Sequence, residues 1–137
     1  MSGVRPERGL LDTSVAIELT SLDPERLPEE VTISTLTLAE LGASPFASGD
    51  EPERALRLGK LRAIEASVES LDFDPRCARA YGRIYAATRA AGRKARGSTA
   101  VDLMIAATAL AHELPLYTLN AADLRGLDDL IEIVDLS

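Results

Sequence analysis

Apolar residues in this chain fall into two patterns. Some runs are short and unbroken, as in Gly9-Leu10-Leu11, Val31-Thr32-Ile33 and Leu116-Tyr117-Thr118-Leu119. A short apolar run without alternation suits a strand covered on both faces. Elsewhere the apolar positions recur at helical intervals. Leu56, Ile64 and Val68, with Leu58 and Leu61 between them, form one such stripe, and Ala78, Tyr81 and Tyr85 another. The pattern predicts strands over 9–12, 31–34, 71–73, 116–119 and 130–134. It predicts helices over 14–19, from 36 through 41 toward 46, from Asp50 to 70, from Asp74 to near Gly92, and from Ala100 to about Glu113. Asp50-Glu51-Pro52, Asp74-Pro75 and Ser98-Thr99 supply helix starts. Residues 121–126 read as a turn or short helix.

The order is β-α-β-α-α-β-α-α-β-β. Interleaving of this kind predicts a three-layer α/β/α domain on a mainly parallel sheet of about five strands. No internal repeat or low-complexity segment interrupts it, so residues 1–137 are expected to form a single domain. With 46% hydrophobic but only 4% aromatic residues, the core must be built from Leu, Ala, Ile and Val. No apolar run nears the ~18 residues of a membrane span. The first eight residues lack the apolar centre of a signal peptide. Cys77 is the only cysteine, so no intrachain disulfide can form, and a cytoplasmic protein is expected.

A net charge of −7 argues against a basic nucleic-acid-coating protein. It leaves room for an enzyme that holds a metal with its acids and steers a polyanion with a local basic stripe. His112 is the only histidine, which excludes chemistry needing several imidazoles.

Carboxylates stand where apolar stretches begin or end. Asp12 follows the first strand, Glu40 lies in the turns after the second, and Asp102 opens the most apolar helix. Asn120 and Asp123 follow the fourth strand. In a parallel sheet these points share one edge, where ligands bind. Each also has a plain structural reading. Asp12 can cap a helix, Thr37-x-x-Glu40 and Thr99-x-x-Asp102 resemble capping boxes, Asn120 can cap the turn, and Asp123 can be a solvated acid. Together they favour a crevice in which like charges require a proton or a cation. Oxygen ligands alone suit Mg²⁺ or Mn²⁺ rather than Zn²⁺, and a phosphodiester is the natural substrate for such an ion.

Four stretches then resemble the PIN-domain family, and within it the VapC toxins. They are Leu11-Asp12-Thr13-Ser14, Ile33-Ser34 with Leu36 through Leu41, Val101-Asp102 through Ala109, and Leu114 through Asp123. The resemblance implies a Mg²⁺-dependent endoribonuclease, the toxin of a type II toxin–antitoxin pair. Such an enzyme would cleave structured RNA such as tRNA or rRNA by metal-activated water. It implies Asp12 and Asp102 as principal metal ligands and Glu40 as a ligand through water or holder of the attacking water. Thr13, Ser14 and Thr118 would support that network, and Asn120 or Asp123 would complete the site. It also implies a homodimer and a VapB-type antitoxin partner. Leu124 stands where many relatives carry an aromatic, and Asn120 is neutral where some carry a carboxylate. That leaves open whether one metal or two is held.

Arg93, Lys94 and Arg96 lead into the Asp102 helix and are the best-placed phosphate grips. Tyr81 and Tyr85 are read as core or dimer-seam residues, Cys77 as a small buried side chain, and His112 as a partner of a helix C-terminus. Two rival functions stand beside the ribonuclease. One is a catalytically weak PIN-like module that binds RNA or an antitoxin without cutting. The other is a phosphohydrolase using Asp12 as nucleophile, which the Asp12-Thr13-Ser14 sequence fits less well.

Overall fold

A computed structural model describes residues 6–92 and 98–137. Five strands, β1 (Arg8–Leu11), β2 (Glu30–Ser34), β3 (Glu69–Leu71), β4 (Leu116–Thr118) and β5 (Ile133–Asp135), form one sheet in the order β3-β2-β1-β4-β5. Every pairing is parallel. Five helices connect them: α1 (Thr13–Ile17), α2 (Thr35–Ala43), α3 (Glu51–Ser67), α4 (Pro75–Ala90) and α5 (Ser98–Ala111). The expected three-layer α/β/α architecture is the one observed.

Neighbouring side chains on a strand point to opposite faces. Leu10 and Leu116 therefore enter a core with Ile84, Leu103, Ile105 and Leu127. Leu11 and Tyr117 enter a second core with Val15, Ile33, Leu41 and Ile64. This two-sided burial explains why the central strands read as unbroken apolar runs. Gly9 lies where a Cβ would fall 2.5 Å from Tyr117 Cε1, so β1 and the β4 side chain can approach only through glycine. On α5, Leu103, Ile105, Ala106, Ala107 and Ala109 are all buried, which accounts for a helix with no strongly polar face.

Helix starts follow their caps. Asp12, Asp50 and Asp74 accept from the N–H groups of Val15, Glu53 and Cys77, and Ser34 accepts from that of Leu36. The Cys77 N–H holds the Asp74 carboxyl below the usual carboxylate range.

Several boundaries differ from the sequence expectation. The third strand is Glu69–Leu71 rather than 71–73, because its partner β2 ends at Ser34, opposite Leu71. Its first two residues are polar and exposed, as an edge strand permits. The fifth strand is Ile133–Asp135 rather than 130–134, since Leu130 and Ile131 are turned back onto the Leu127 carbonyl. Helix α2 gives way at Ser44 to a 3-10 turn with Pro45 in its first positions. Among the described residues no helix is long and apolar enough to cross a membrane.

Candidate active site

Strand order reverses between β1 and β4: successive strands step one way from β1 to β3, and the other way from β4 to β5. Beyond the carboxyl ends of two such strands the flanking connections diverge and leave a crevice. Asp12 is the first residue past β1, and Asn120 lies two past β4. The cleft there is lined by Asp12, Ser14, Asp102, Thr118, Asn120 and Asp123.

Asp12 has two roles. Its Oδ1 accepts from the Val15 N–H at 3.1 Å and from the Ser14 hydroxyl at 2.6 Å. Its Oδ2 accepts no hydrogen bond among the described residues. The plain capping role is therefore real, and it fixes the carboxylate while leaving one oxygen for a ligand. The Ser14 hydroxyl also accepts from the Leu119 N–H at 3.2 Å, tying the turn after β1 to the end of β4.

Glu40 is not part of a capping box. Ser34 is the cap of α2, and Thr37 is a fully buried residue inside the helix. Glu40 Oε1 accepts from the Thr13 hydroxyl at 2.5 Å, and Thr13 Oγ1 lies 3.1 Å from Thr37 Oγ1. Since Thr13 spends its only proton on Glu40, the Thr37 hydroxyl donates to Thr13. A chain Thr37–Thr13–Glu40 thus orients the carboxylate. The part played by Thr37 was missed in the sequence, although its i, i+3 spacing from Glu40 marked a shared helix face.

Asp102 is not in the first turn, as its sequence position suggested. Helix α5 begins at Ser98 rather than Ala100, which places Thr99 inside the helix and Asp102 in the second turn. A residue there has no free N–H to satisfy. Burial pushes the half-buried Asp102 carboxyl up to about 6, and the charges of Glu40, Asp12 and Asp123 push in the same direction.

Thr118 is fully buried, and its Oγ1 accepts from the Asn120 N–H at 2.9 Å. Asn120 makes no side-chain cap to the turn that follows, so its amide is available to the cleft. Asp123 is exposed at the rim. Arg93, Lys94 and Arg96 lie outside the described residues. Of the remaining readings, Tyr81 packs partly on the core while Tyr85 is 37% exposed, with their ring centroids 6.1 Å apart. Cys77 is fully buried, and that burial pushes its thiol up.

A crevice of oxygen ligands at the switch point of a five-strand parallel sheet defines a class of α/β site suited to a hard divalent cation. The chain belongs to the PIN-domain family, whose model matches residues 9–129. It is 37% identical to Ribonuclease VapC5 of Mycobacterium tuberculosis over 126 residues, which is 90% of each chain. It is 35% identical to Ribonuclease VapC8 of the same species over 102 residues, covering 74% of this chain and 89% of that one. Its fold superposes with a TM-score of 0.81 and 35% identity on a crystal structure of VapBC-5 from Mycobacterium tuberculosis, a member of the VapBC family of toxin–antitoxin systems. That match covers 96% of this chain and all of the other. The VapC resemblance drawn from the four motifs is borne out.

Proposed function

We propose that the protein is a VapC-type endoribonuclease toxin, a single PIN domain over residues 1–137 that requires Mg²⁺ or Mn²⁺ and cuts structured RNA of the tRNA or rRNA kind. The observation that carries this reading is Asp102 itself, a half-buried carboxyl raised to about 6 by its burial first and by the charges of Glu40, Asp12 and Asp123 after it. Like charges that act on one another in a half-buried cleft are costly unless a cation settles among them. The donor set fits a hard ion, since every candidate ligand is an oxygen. Asp12 and Asp102 would hold the ion, with Glu40 acting through water and Asn120 or Asp123 completing the site. When bound, such an ion lowers the pKa of a water and offsets charge building on a phosphate.

The chain's own residues do the rest. Ser14 and the Val15 N–H keep Asp12 fixed. Thr13 aims Glu40 so that its second oxygen can take a proton from the attacking water. Thr118 sets the loop that presents Asn120. Arg93, Lys94 and Arg96, a few residues before Asp102, would grip substrate phosphates.

We further assign a VapB-type antitoxin as partner, a homodimer as the working form and the cytoplasm as its place. The solved relative comes from a toxin–antitoxin system. Ile17, Phe46 and Leu56 leave apolar side chains 40%, 81% and 56% exposed, an opportunity for a covering segment.

The test is cleavage of total RNA by the purified chain with Mg²⁺ and with chelator, followed by mapping of new 5′ ends. Metal-dependent ends that vanish in Asp12→Asn and Asp102→Asn, both still folded by circular dichroism, are expected. Full cleavage by either variant would overturn the mechanism. RNA binding without any cut would establish the non-cutting module instead.

A further inference from the structure

We propose that Asp74, Cys77 and His112 form a second cation site, separate from the acid crevice and selective for a borderline-soft ion of the zinc type. One ligand atom from each residue, an oxygen, a sulfur and a nitrogen, lies within 4.8 Å of the other two. Asp74 caps α4 and Cys77 lies three residues on, so both face the same side of the first turn. His112 follows the last residue of α5. It is ten residues from Asp102, about 15 Å along a helix, so the two sites cannot share an ion.

A second observation points to a ligand. His112 Nε2 is buried and has no hydrogen-bond partner among the described residues. A buried ring nitrogen left this way is costly. The other nitrogen, Nδ1, lies 3.4 Å from Arg76 Nη2. A guanidinium only donates, so Nδ1 accepts and the proton sits on Nε2, where nothing receives it. The same Arg76 reaches Asp74 Oδ2 at 3.7 Å. A cationic group thus already stands between the carboxylate and the imidazole. It is held by two long contacts on an arginine side chain that is 57% exposed.

A divalent ion would take the lone pair of Nε2. The imidazole proton would move to Nδ1, where Arg76 can no longer donate, and the guanidinium would swing away and free Asp74 Oδ2. Asp74 Oδ1 is engaged by the Cys77 N–H at 3.0 Å, which leaves Oδ2 for the ion. The Cys77 Sγ–H, which donates weakly to the Asp72 carbonyl at 3.6 Å, would release one proton to water and bind as thiolate. Zinc bond lengths set tetrahedral ligand atoms about 3.5 Å apart, so side-chain rotations close the remaining gap. The sulfur, nitrogen and oxygen set disfavours Mg²⁺ and Ca²⁺. Three protein ligands leave a fourth position for water. Bound there, the ion would clamp the start of α4 to the end of α5.

The test is a Co²⁺ titration of the tag-free full chain in excess Mg²⁺. Cys77 is the only thiol, so a thiolate-to-cobalt charge-transfer band reports this site alone. The expected result is a band saturating at one Co²⁺ per chain and bleached by one equivalent of Zn²⁺. The band should be lost in Cys77→Ala, with at least a tenfold weaker affinity in His112→Ala and in Asp74→Asn, which keeps the helix cap. It should persist in Asp12→Asn/Asp102→Asn. No band in the wild type, or a band with unchanged affinity in His112→Ala and Asp74→Asn, would overturn the proposal. Loss of the band in the crevice variant would overturn its separateness, whatever the fate of RNA cleavage.

Discussion

The two ends of α5 make opposite electrostatic arrangements from similar residue types. Near its start, Asp102 is pushed up to about 6 by its burial and further by the charges of Glu40, Asp12 and Asp123, all of one sign. Just past its end, His112 meets one carboxylate, one thiol and an arginine, and the Asp74 carboxyl there is held below its ordinary value, first by the Cys77 N–H and then by Arg76 and His112. The first cluster sets like charges near one another and offers only oxygen donors. The second is partly neutralised by Arg76 and offers soft donors. Carboxylates capping helices occur at both ends, so capping alone does not distinguish a site. What distinguishes the crevice is that Asp102 has no capping duty and is still drawn among like charges.

The largest effect expected from breaking that contrast is on RNA cleavage. Asp12→Asn keeps a side-chain oxygen for the Val15 N–H but removes a charge from the crevice, and should lower cleavage at least about 100-fold with the fold intact. His112→Ala, at the other end of α5, should leave cleavage within about twofold, since about 15 Å separates the two ends. Rate measurements on both variants in Mg²⁺ check the pair. Comparable losses in the two would mean that the ends of α5 are coupled rather than distinct.

A smaller effect is expected where the crevice is built rather than charged. Thr13→Val removes the donor to Glu40 and leaves the buried Thr37 hydroxyl without its acceptor. Stability should fall by about 1–2 kcal/mol. Cleavage should fall about tenfold through a lower kcat with little change in KM, because the carboxylate is no longer aimed. Thr13→Ser, which restores the hydroxyl, should recover the rate. A valine variant with wild-type kcat would show that Glu40 needs no orientation.

Much of this arrangement was legible in the residues. Unbroken apolar runs at 9–11 and 31–33 revealed strands buried on both faces, and a capping Asp followed within two residues by Pro marked the starts of α3 and α4. The convergence of Asp12, Glu40 and Asp102 could be anticipated because parallel strands deliver their ends to one edge. Strand limits were less legible. The residues of β3 are mostly polar because an edge strand needs no apolar alternation, and Leu130-Ile131 is apolar because a turn can pack into a core. The Thr37–Thr13–Glu40 chain joins residues 24 and 27 positions apart, and the Asp74–His112 meeting depends on how two helices lie together. Beyond the Thr37–Glu40 spacing on one helix face, neither leaves a local pattern.

The smallest effect concerns the metal-free protein. A carboxyl raised to about 6 in the folded chain, against 3.8 when unfolded, binds its proton more tightly in the native state. Unfolding then gains free energy as the pH rises, so the native state's advantage is complete below 3.8 and is lost once the pH passes about 6. Taken whole, the difference between 3.8 and about 6 corresponds to about 3 kcal/mol. Asp102 is only half-buried, and solvent screening brings it to about 1–2 kcal/mol. Asp102→Asn should therefore match the wild type at pH 3.5 and exceed its stability by that amount at pH 7, measured by urea unfolding in chelator. Added Mg²⁺ at pH 7 should stabilise the wild type and leave the asparagine variant nearly unmoved. A variant less stable than wild type at pH 7 without metal would show that neither burial nor the neighbouring carboxylates penalise the charged Asp102, and the crevice would lose its reason to hold a cation.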